Sequence, residues 1–301
     1  MNNLYGYFME PQNFSVNDGE GIRTTIFFAG CPLRCKWCAN PEGLESVNRT
    51  SFNSEICIGC GKCAINCPVG VGINLKLPEE RIKCISCGKC AEVCPAKSRK
   101  QLIKRYSIDD ILKILKRQEI FYRYSGGGVT FSGGEATLQQ DMLRELVNKL
   151  YDKAFNLAIE TSGYFEFNEV KDILEKLDLI FVDIKHMNTS KHKMLTGVSN
   201  EKILYNIKRL NELDANVVVR IPLIAGVNAN IENIIETAKF VKYNIKNPMV
   251  ELLPYHNFGD EKYEALGIEK PSRDFEVPSI EFVNEVKELI KAYGIEVVSY
   301  K

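Results

Sequence analysis

Along most of the chain a short β-branched apolar run is followed by a polar or glycine-rich motif and then by an amphipathic stretch. The strand candidates are IRTTIFF (22–28), GVTF (128–131), LAIE (157–160), LIFVDI (179–184), NVVVRI (216–221) and MVELL (249–253). They are mostly apolar runs rather than alternating ones, the pattern of parallel strands covered on both faces. Helical periodicity appears near 107–123, 138–153, 168–177, 200–213, 231–245 and 279–293. Ser107 with Asp110 and Thr137 with Gln140 have the spacing of a capping box. Six such units predict an α/β fold, a partial parallel (β/α)6 barrel, with a doubly wound open sheet as the competing layout. Polar motifs follow nearly every strand, and a barrel would gather them at one mouth, which favours the barrel.

The pattern breaks between residues 51 and 100, a Cys- and Gly-rich stretch with no long periodic element. It reads as an insertion after the first strand, so residues 1–50 and 101–301 form the barrel and 51–100 a separate inserted domain. A piece that short buries little apolar surface, and metal would have to staple it. Composition supports an ordinary globular protein. Lys plus Arg and Asp plus Glu both total 39, and the zero formal net charge argues against bulk nucleic acid as a partner. No apolar stretch approaches the ~18 residues of a membrane span, and the N-terminus has no signal-peptide pattern. The expectation is a cytoplasmic enzyme.

All eleven cysteines lie between Cys31 and Cys94, a clustering that suits metal better than a disulfide framework. Cys57, Cys60, Cys63 and Cys67 precede Pro68, and Cys84, Cys87, Cys90 and Cys94 precede Pro95, both in the bacterial ferredoxin spacing C-x2-C-x2-C-x3-C-P. Three thiolates on a tight turn reach one cube, while the fourth leads away to the other. The expected 4Fe–4S ligand sets are therefore Cys57, Cys60, Cys63 and Cys94, and Cys84, Cys87, Cys90 and Cys67. A zinc ribbon would instead take four ligands from two pairs. Cys31, Cys35 and Cys38 remain, and three thiolates on a cubic cluster leave one iron without a protein ligand, as a catalytic centre requires.

The C-x3-C-x2-C triad, with Trp37 before its last Cys, resembles the radical S-adenosylmethionine superfamily. NDGEGIRTT (17–25), GGGVTFSGGE (126–135), ETSG (160–163), FVDIKHM (181–187), RIPLIAGVN (220–228) and LLPYH (252–256) narrow the resemblance to the glycyl-radical-enzyme activating enzymes. The resemblance implies a third 4Fe–4S cluster on Cys31, Cys35 and Cys38 whose open iron is chelated by S-adenosylmethionine. It implies reductive cleavage to methionine and a 5′-deoxyadenosyl radical, which takes hydrogen from a glycine of a partner glycyl radical enzyme. Gly133, Gly134 and Glu135 would position the amino group of S-adenosylmethionine. Asp183, Ile184, Lys185, His186 and Met187 would hold its methionyl part and ribose, with Lys185 facing the carboxylate. His256 would also contact it, while Trp37, Cys38 and Ala39 would border the adenine. Asp183 with Glu160 and Thr161 resembles a monovalent-cation site, and Asp18 would face the partner's glycine loop.

Two positions depart from the family pattern: Glu20 and Ala225 stand where many members have proline, which would loosen a turn rather than remove a ligand. His186 and His192 sit among lysines and read as solvated or supporting residues, whereas His256 after an apolar strand also suits a buried structural role. Flavodoxin or ferredoxin would supply the electron, and the insert clusters would either relay it or order a docking surface. The competing functions are a radical enzyme acting on a small metabolite and a polyferredoxin-like electron carrier.

Overall fold

The computed structural model describes residues 4–213, 216–271 and 275–300. Eleven strands among them form one sheet: β1 (Tyr5–Phe8), β2 (Gln12–Ser15), β3 (Arg23–Phe28), β4 (Arg49–Phe52), β5 (Arg99–Ser107), β6 (Gly128–Gly133), β7 (Asn156–Thr161), β8 (Leu179–Asp183), β9 (Asn216–Leu223), β10 (Met249–Pro254) and β11 (Glu296–Val298). Seven run parallel in the order β3-β6-β7-β8-β9-β10-β11. Each new strand is laid on the same side of the last, so right-handed crossovers leave the connecting helices on one face. A doubly wound sheet would reverse its order part-way. The winding is therefore that of an open, partial barrel, with one parallel strand more than the six expected. The addition, β11, is three half-exposed residues that pair with β10.

Side chains alternate across each strand, and the two faces differ sharply. Val129, Phe131, Leu157, Ile159, Ile180, Val182 and Val219 face the helices and belong to the main apolar core. The helices meet them with stripes at helical spacing, such as Met142, Leu143, Leu146, Val147 and Leu150 of Gln140–Tyr151. Each such side chain contributes about 1.5–3 kcal/mol by leaving water. The opposite face carries Thr25, Thr130, Ser132, Glu160, Arg220 and Glu251 beside the small apolar group Ala158, Phe181 and Val218.

The helix expected over 107–123 is two, Ile108–Lys116 and Glu119–Ser125, and Ser107 caps the first in a complete capping box with Asp110. Thr137 and Gln140 form no such box. Glu135 caps a 3-10 turn at Ala136–Gln139 instead, accepting from Thr137. Helices Thr189–Thr196 and Asp260–Leu266 also appear where the periodicity indicated none.

On the far side of β3 the sheet turns antiparallel through β1, β5 and β4. The β4–β5 ladder, from Arg49 opposite Ile103 to Phe52 opposite Arg99, clasps the neck of the cysteine-rich segment. Its two C-G-K-C runs fold alike. Gly61 (φ 72°) and Gly88 (φ 84°) take the left-handed conformation before the matching short helices Lys62–Ile65 and Lys89–Glu92.

Candidate active site

The carboxyl ends of the parallel strands bring the motifs that follow β3, β6, β7, β8, β9 and β10 to one rim, while NDGEGIRTT leads into the amino end of β3. After β3 comes the loop holding Cys31, Cys35 and Cys38, all partly buried. Its shape is set by the main chain: Gly30 N–H donates to the Gly43 carbonyl at 2.8 Å, and Cys31 N–H to the Leu44 carbonyl at 3.2 Å. From the other side the end of Thr189–Thr196 accepts Arg34 N–H on the Thr196 carbonyl (2.7 Å) and Lys36 N–H on the Leu195 carbonyl (3.0 Å). Burial, then the Glu135 charge, pushes the Cys31 thiol up to about 12, and burial pushes Cys35 and Cys38 up to about 11. Three such thiols resist ionisation until a cation compensates them, and a bound metal supplies that charge. The donor set thus fits an iron–sulfur centre.

Beside the thiols, Lys185 is buried and donates to Asp183 Oδ2 at 2.5 Å. Burial works against its charge, but Asp183 and the Cys35 and Cys31 sulfurs outweigh that and raise its pKa. It is a fixed ammonium at the end of β8, suited to an anionic ligand. After β6, Gly133 (φ 121°) and Gly134 allow backbone contacts that any Cβ would block: one added to Gly134 would stand 2.3 Å from the Gly30 carbonyl oxygen. Glu135 itself is committed. Its carboxylate accepts from Thr137 Oγ1 and Thr161 Oγ1 at 2.8 Å and from Ser162 N and Oγ at 2.9 and 2.6 Å. Its side chain ties the β6 and β7 rims together, leaving main-chain groups for a ligand.

Three buried asparagines that sequence reasoning missed hold the 185–187 segment. Asn228 Nδ2 donates to the Lys185 carbonyl (2.8 Å), Asn200 Nδ2 to those of His186 (2.9 Å) and Met187 (2.7 Å), and Asn233 Oδ1 accepts from Met187 N (2.9 Å). Ile184 is buried beside them, its N–H bonded to the Arg220 carbonyl at 2.9 Å. Asparagine in a loop ordinarily signals a turn, and of the three only Asn228 falls within one of the motifs singled out, RIPLIAGVN.

Trp37 meets Phe275 edge-on at 6.1 Å between ring centroids, and Phe275 meets Tyr255 at 6.0 Å. Ala225, at a position where proline was expected, uses the N–H a proline lacks to bond the Glu276 carbonyl at 3.1 Å, anchoring Phe275.

The model of the Radical SAM superfamily matches residues 25–241. The trans-4-hydroxy-L-proline dehydratase activating enzyme of Clostridioides difficile is 41% identical over 289 residues, covering 93% of this chain and 94% of the relative. The chain belongs to the glycyl-radical-enzyme activating enzymes of the radical S-adenosylmethionine superfamily. The choline trimethylamine-lyase activating enzyme of Oleidesulfovibrio alaskensis is 36% identical, covering 95% of each chain. A radical SAM methyltransferase from Sphaerobacter thermophilus, 14% identical, aligns over 96% of this chain and 76% of its own with a TM-score of 0.54, a likeness of fold.

Other expected residues of this activating enzyme lie as follows. His186 and His192 are buried, not solvated; burial lowers both pKa values. After burial, Lys191 adds to the lowering at His186 and Lys185 to that at His192, while Asn188 N donates to His186 Nδ1 at 3.0 Å and His192 Nδ1 bonds the Val198 carbonyl at 2.8 Å. His256 is exposed rather than a core histidine, and its ring stacks on Phe258 at 4.5 Å. The side chains of Glu160, Thr161 and Asp183 are not gathered into a cation site. Glu160 and Thr161 leave β7 on opposite faces, the first toward Ser132 and Arg220, the second toward Glu135, while Asp183 holds Lys185. Asp18 is held by Ser15 Oγ and Thr25 Oγ1, each 2.5 Å from Oδ2. Beside it, Arg220 donates to the Asn17 carbonyl (3.1 Å) and to Glu251 (2.7 Å), pairs with Glu160, and lies over the Phe181 ring at 3.6 Å. Burial disfavours the Arg220 charge, but Glu160 and Glu251 more than offset it and raise its pKa.

In the insert, one cavity is lined by Cys57, Cys60, Cys63 and Cys94, and a second by Cys84, Cys87, Cys90 and Cys67 together with Cys63. Among the described residues no group of three His, Cys, Asp or Glu side chains converges as a single metal ion would require. No helix among them is long and apolar enough to cross a membrane.

Proposed function

We propose that this activating enzyme installs a glycyl radical on a partner glycyl radical enzyme, using a 4Fe–4S cluster on Cys31, Cys35 and Cys38. When bound, the cluster and S-adenosylmethionine supply a 5′-deoxyadenosyl radical that takes hydrogen from a glycine of the partner. The observation that carries the reading is the pairing of three partly buried thiols with the buried Lys185 ammonium on one rim. Three thiols leave a cubic cluster one iron short of protein ligands, and Lys185 offers a charge for the cofactor's carboxylate. Main-chain groups of Gly133 and Gly134 receive the amino group, and Trp37 and Ala39 border the adenine. The 183–187 segment and His256 complete the contacts. Asp18, steadied by Ser15 and Thr25, faces the partner's glycine loop.

The 51–100 insert is read as a ferredoxin-type domain with two further 4Fe–4S clusters, one on Cys57, Cys60, Cys63 and Cys94 and one on Cys84, Cys87, Cys90 and Cys67. The reading is supported by the way the insert thiols line two cavities, Cys57, Cys60, Cys63 and Cys94 in one and Cys84, Cys87, Cys90 and Cys67, with Cys63, in the other. Flavodoxin or ferredoxin is the proposed electron donor. Incubation of the reduced protein and S-adenosylmethionine with candidate partners should give a glycyl-radical doublet by electron paramagnetic resonance. Absence of a doublet from every candidate, alongside cofactor cleavage, would instead support the small-metabolite reading. Fully loaded protein should hold about twelve irons per chain, from three four-iron clusters.

A further inference from the structure

The helix Asp260–Leu266 touches both cysteine regions, and its two sides do different jobs. Toward the triad loop, Lys262 Nζ donates to Asn40 Oδ1 at 2.7 Å and to Glu42 Oε1 at 2.8 Å. The Glu42 side chain is only 9% exposed, and its second oxygen has no hydrogen-bond partner, so Lys262 is its sole counter-charge among the described residues. Just before the helix, a Cβ on Gly259 would stand 2.9 Å from Ala39 Cα and 3.1 Å from the Cys38 carbonyl oxygen, so backbone lies directly on the last cysteine. Tyr263 is buried against the same loop, with burial first and the Cys38 and Cys35 sulfurs next in raising its pKa.

Toward the insert, Lys76 Nζ pairs with Glu264 Oε1 at 2.5 Å. Arg81 Nη1 donates to the Thr50 carbonyl at 2.6 Å and its Nη2 reaches the Ala265 carbonyl at 3.4 Å. A Cβ on Gly267 would stand 3.2 Å from the Lys76 carbonyl oxygen, and φ of +64° there requires the glycine conformation. Lys76 and Arg81 belong to the segment between the two cysteine quartets, so their positions depend on how that segment is held. A short rigid element bonded at both ends transmits order from one to the other.

We propose that Asp260–Leu266 is a brace through which the metal-held insert positions the triad loop, with Lys262 the positioning residue. This rests on the reading of the insert as a metal-stapled domain. Loss of insert metal frees Lys76 and Arg81, the helix shifts, and Glu42 and Asn40 lose their anchor beside Cys38. The geometry of the open-iron site therefore depends on the insert without any requirement that electrons pass through it.

Hydrogen exchange on the full-length, iron-loaded protein tests this, read at residues 31–44 and 57–94 with iron content measured on each sample. Cys87→Ser should raise exchange in both segments, by about tenfold at 31–44, the scale of one lost charge-assisted contact. Lys262→Ala should give the same rise at 31–44 with 57–94 and the insert iron at wild-type values. It should also weaken the S-adenosylmethionine-induced change in the triad cluster's spectrum, and Lys262→Arg should restore both. Wild-type rates at 31–44 in Cys87→Ser, despite a loosened 57–94 segment, would overturn the brace. Unchanged iron and unchanged 57–94 protection in Cys87→Ser would instead fail the metal reading. Lys76→Ala combined with Arg81→Ala then decides the brace alone: faster exchange at 31–44 supports it, wild-type rates sink it.

Discussion

In the barrel, Phe131, Ile159, Ile180 and Val219 are fully buried in one continuous apolar core that runs from β3 to β10. In the inserted segment the apolar cluster is Phe52, Val71 and Leu75 with three cysteines at its edge, while Ile65 and Ile82 stand more than four-fifths exposed. Both regions are built of short elements, yet only the first can be held by water's exclusion of hydrocarbon. The second packs Phe52, Val71 and Leu75 together and leaves most of its other apolar side chains, such as Ile58 and Ile85, exposed. Its repeated glycine turns instead aim thiols at two cavities. One region is stable because of what it buries; on the proposed reading the other is held by what it binds.

The largest effect that sharpens this contrast is removal of iron by a chelator. Residues 53–98 should then be cut rapidly by a nonspecific protease while the barrel core stays intact, as followed by mass spectrometry. Equal resistance of both regions would break the comparison. Next in size, Phe131→Ala should cost about 3–5 kcal/mol through a core cavity, lowering the denaturant midpoint with or without iron. Leu75→Ala should matter only in loaded protein, because the emptied insert has no packed state to lose.

On the active rim, Asn228→Ala removes the donor shared by the Lys185 and Pro222 carbonyls and the acceptor of Ile224 N–H. A loss of about 1–3 kcal/mol in stability is expected from the groups left unpaired. Binding of S-adenosylmethionine, measured by calorimetry, should weaken as Lys185 loses its support.

The smallest effect concerns pH. Burial holds His186 and His192 below the ordinary 6.5. As pH falls through that value the unfolded chain takes up protons that the folded barrel refuses. Stability from these groups is therefore full above about 6.5 and declines below it. Thermal melts of the iron-free chain between pH 7.5 and 5.5 should show the fall, and His192→Asn should flatten it.

The six parallel strands could be read from the sequence because burial on both faces writes a mostly apolar run, broken at positions such as Thr130, Glu160 and Arg220. Strand β11 could not: Glu296–Val298 is too short and too exposed to differ from a loop. Strand β5, RKQLIKRYS, lies between β1 and β4 in the antiparallel part of the sheet with few buried positions, and its run of charges hid it. The clustering of the cysteines was legible because it is local in sequence, and the insert thiols line two cavities. The environments of His186 and His192 were not, since what surrounds them comes from the β8 rim, the helix Thr189–Thr196 and the loop after it. Asn200, Asn228 and Asn233 were missed for the same reason, each bonding backbone 13 or more residues away.

Strand order also has a bearing on how the polypeptide assembles as it leaves the ribosome. From β6 onward each parallel neighbour is only one or two helices away, so pairing can proceed stepwise. The first pair, β3 with β6, must instead close a span of about 100 residues, which carries an entropic penalty and slows nucleation. If the intervening thiol-rich stretch captures its iron first, β4 and β5 are already tied and that span shortens. Cluster insertion would then set the pace of maturation for the whole enzyme.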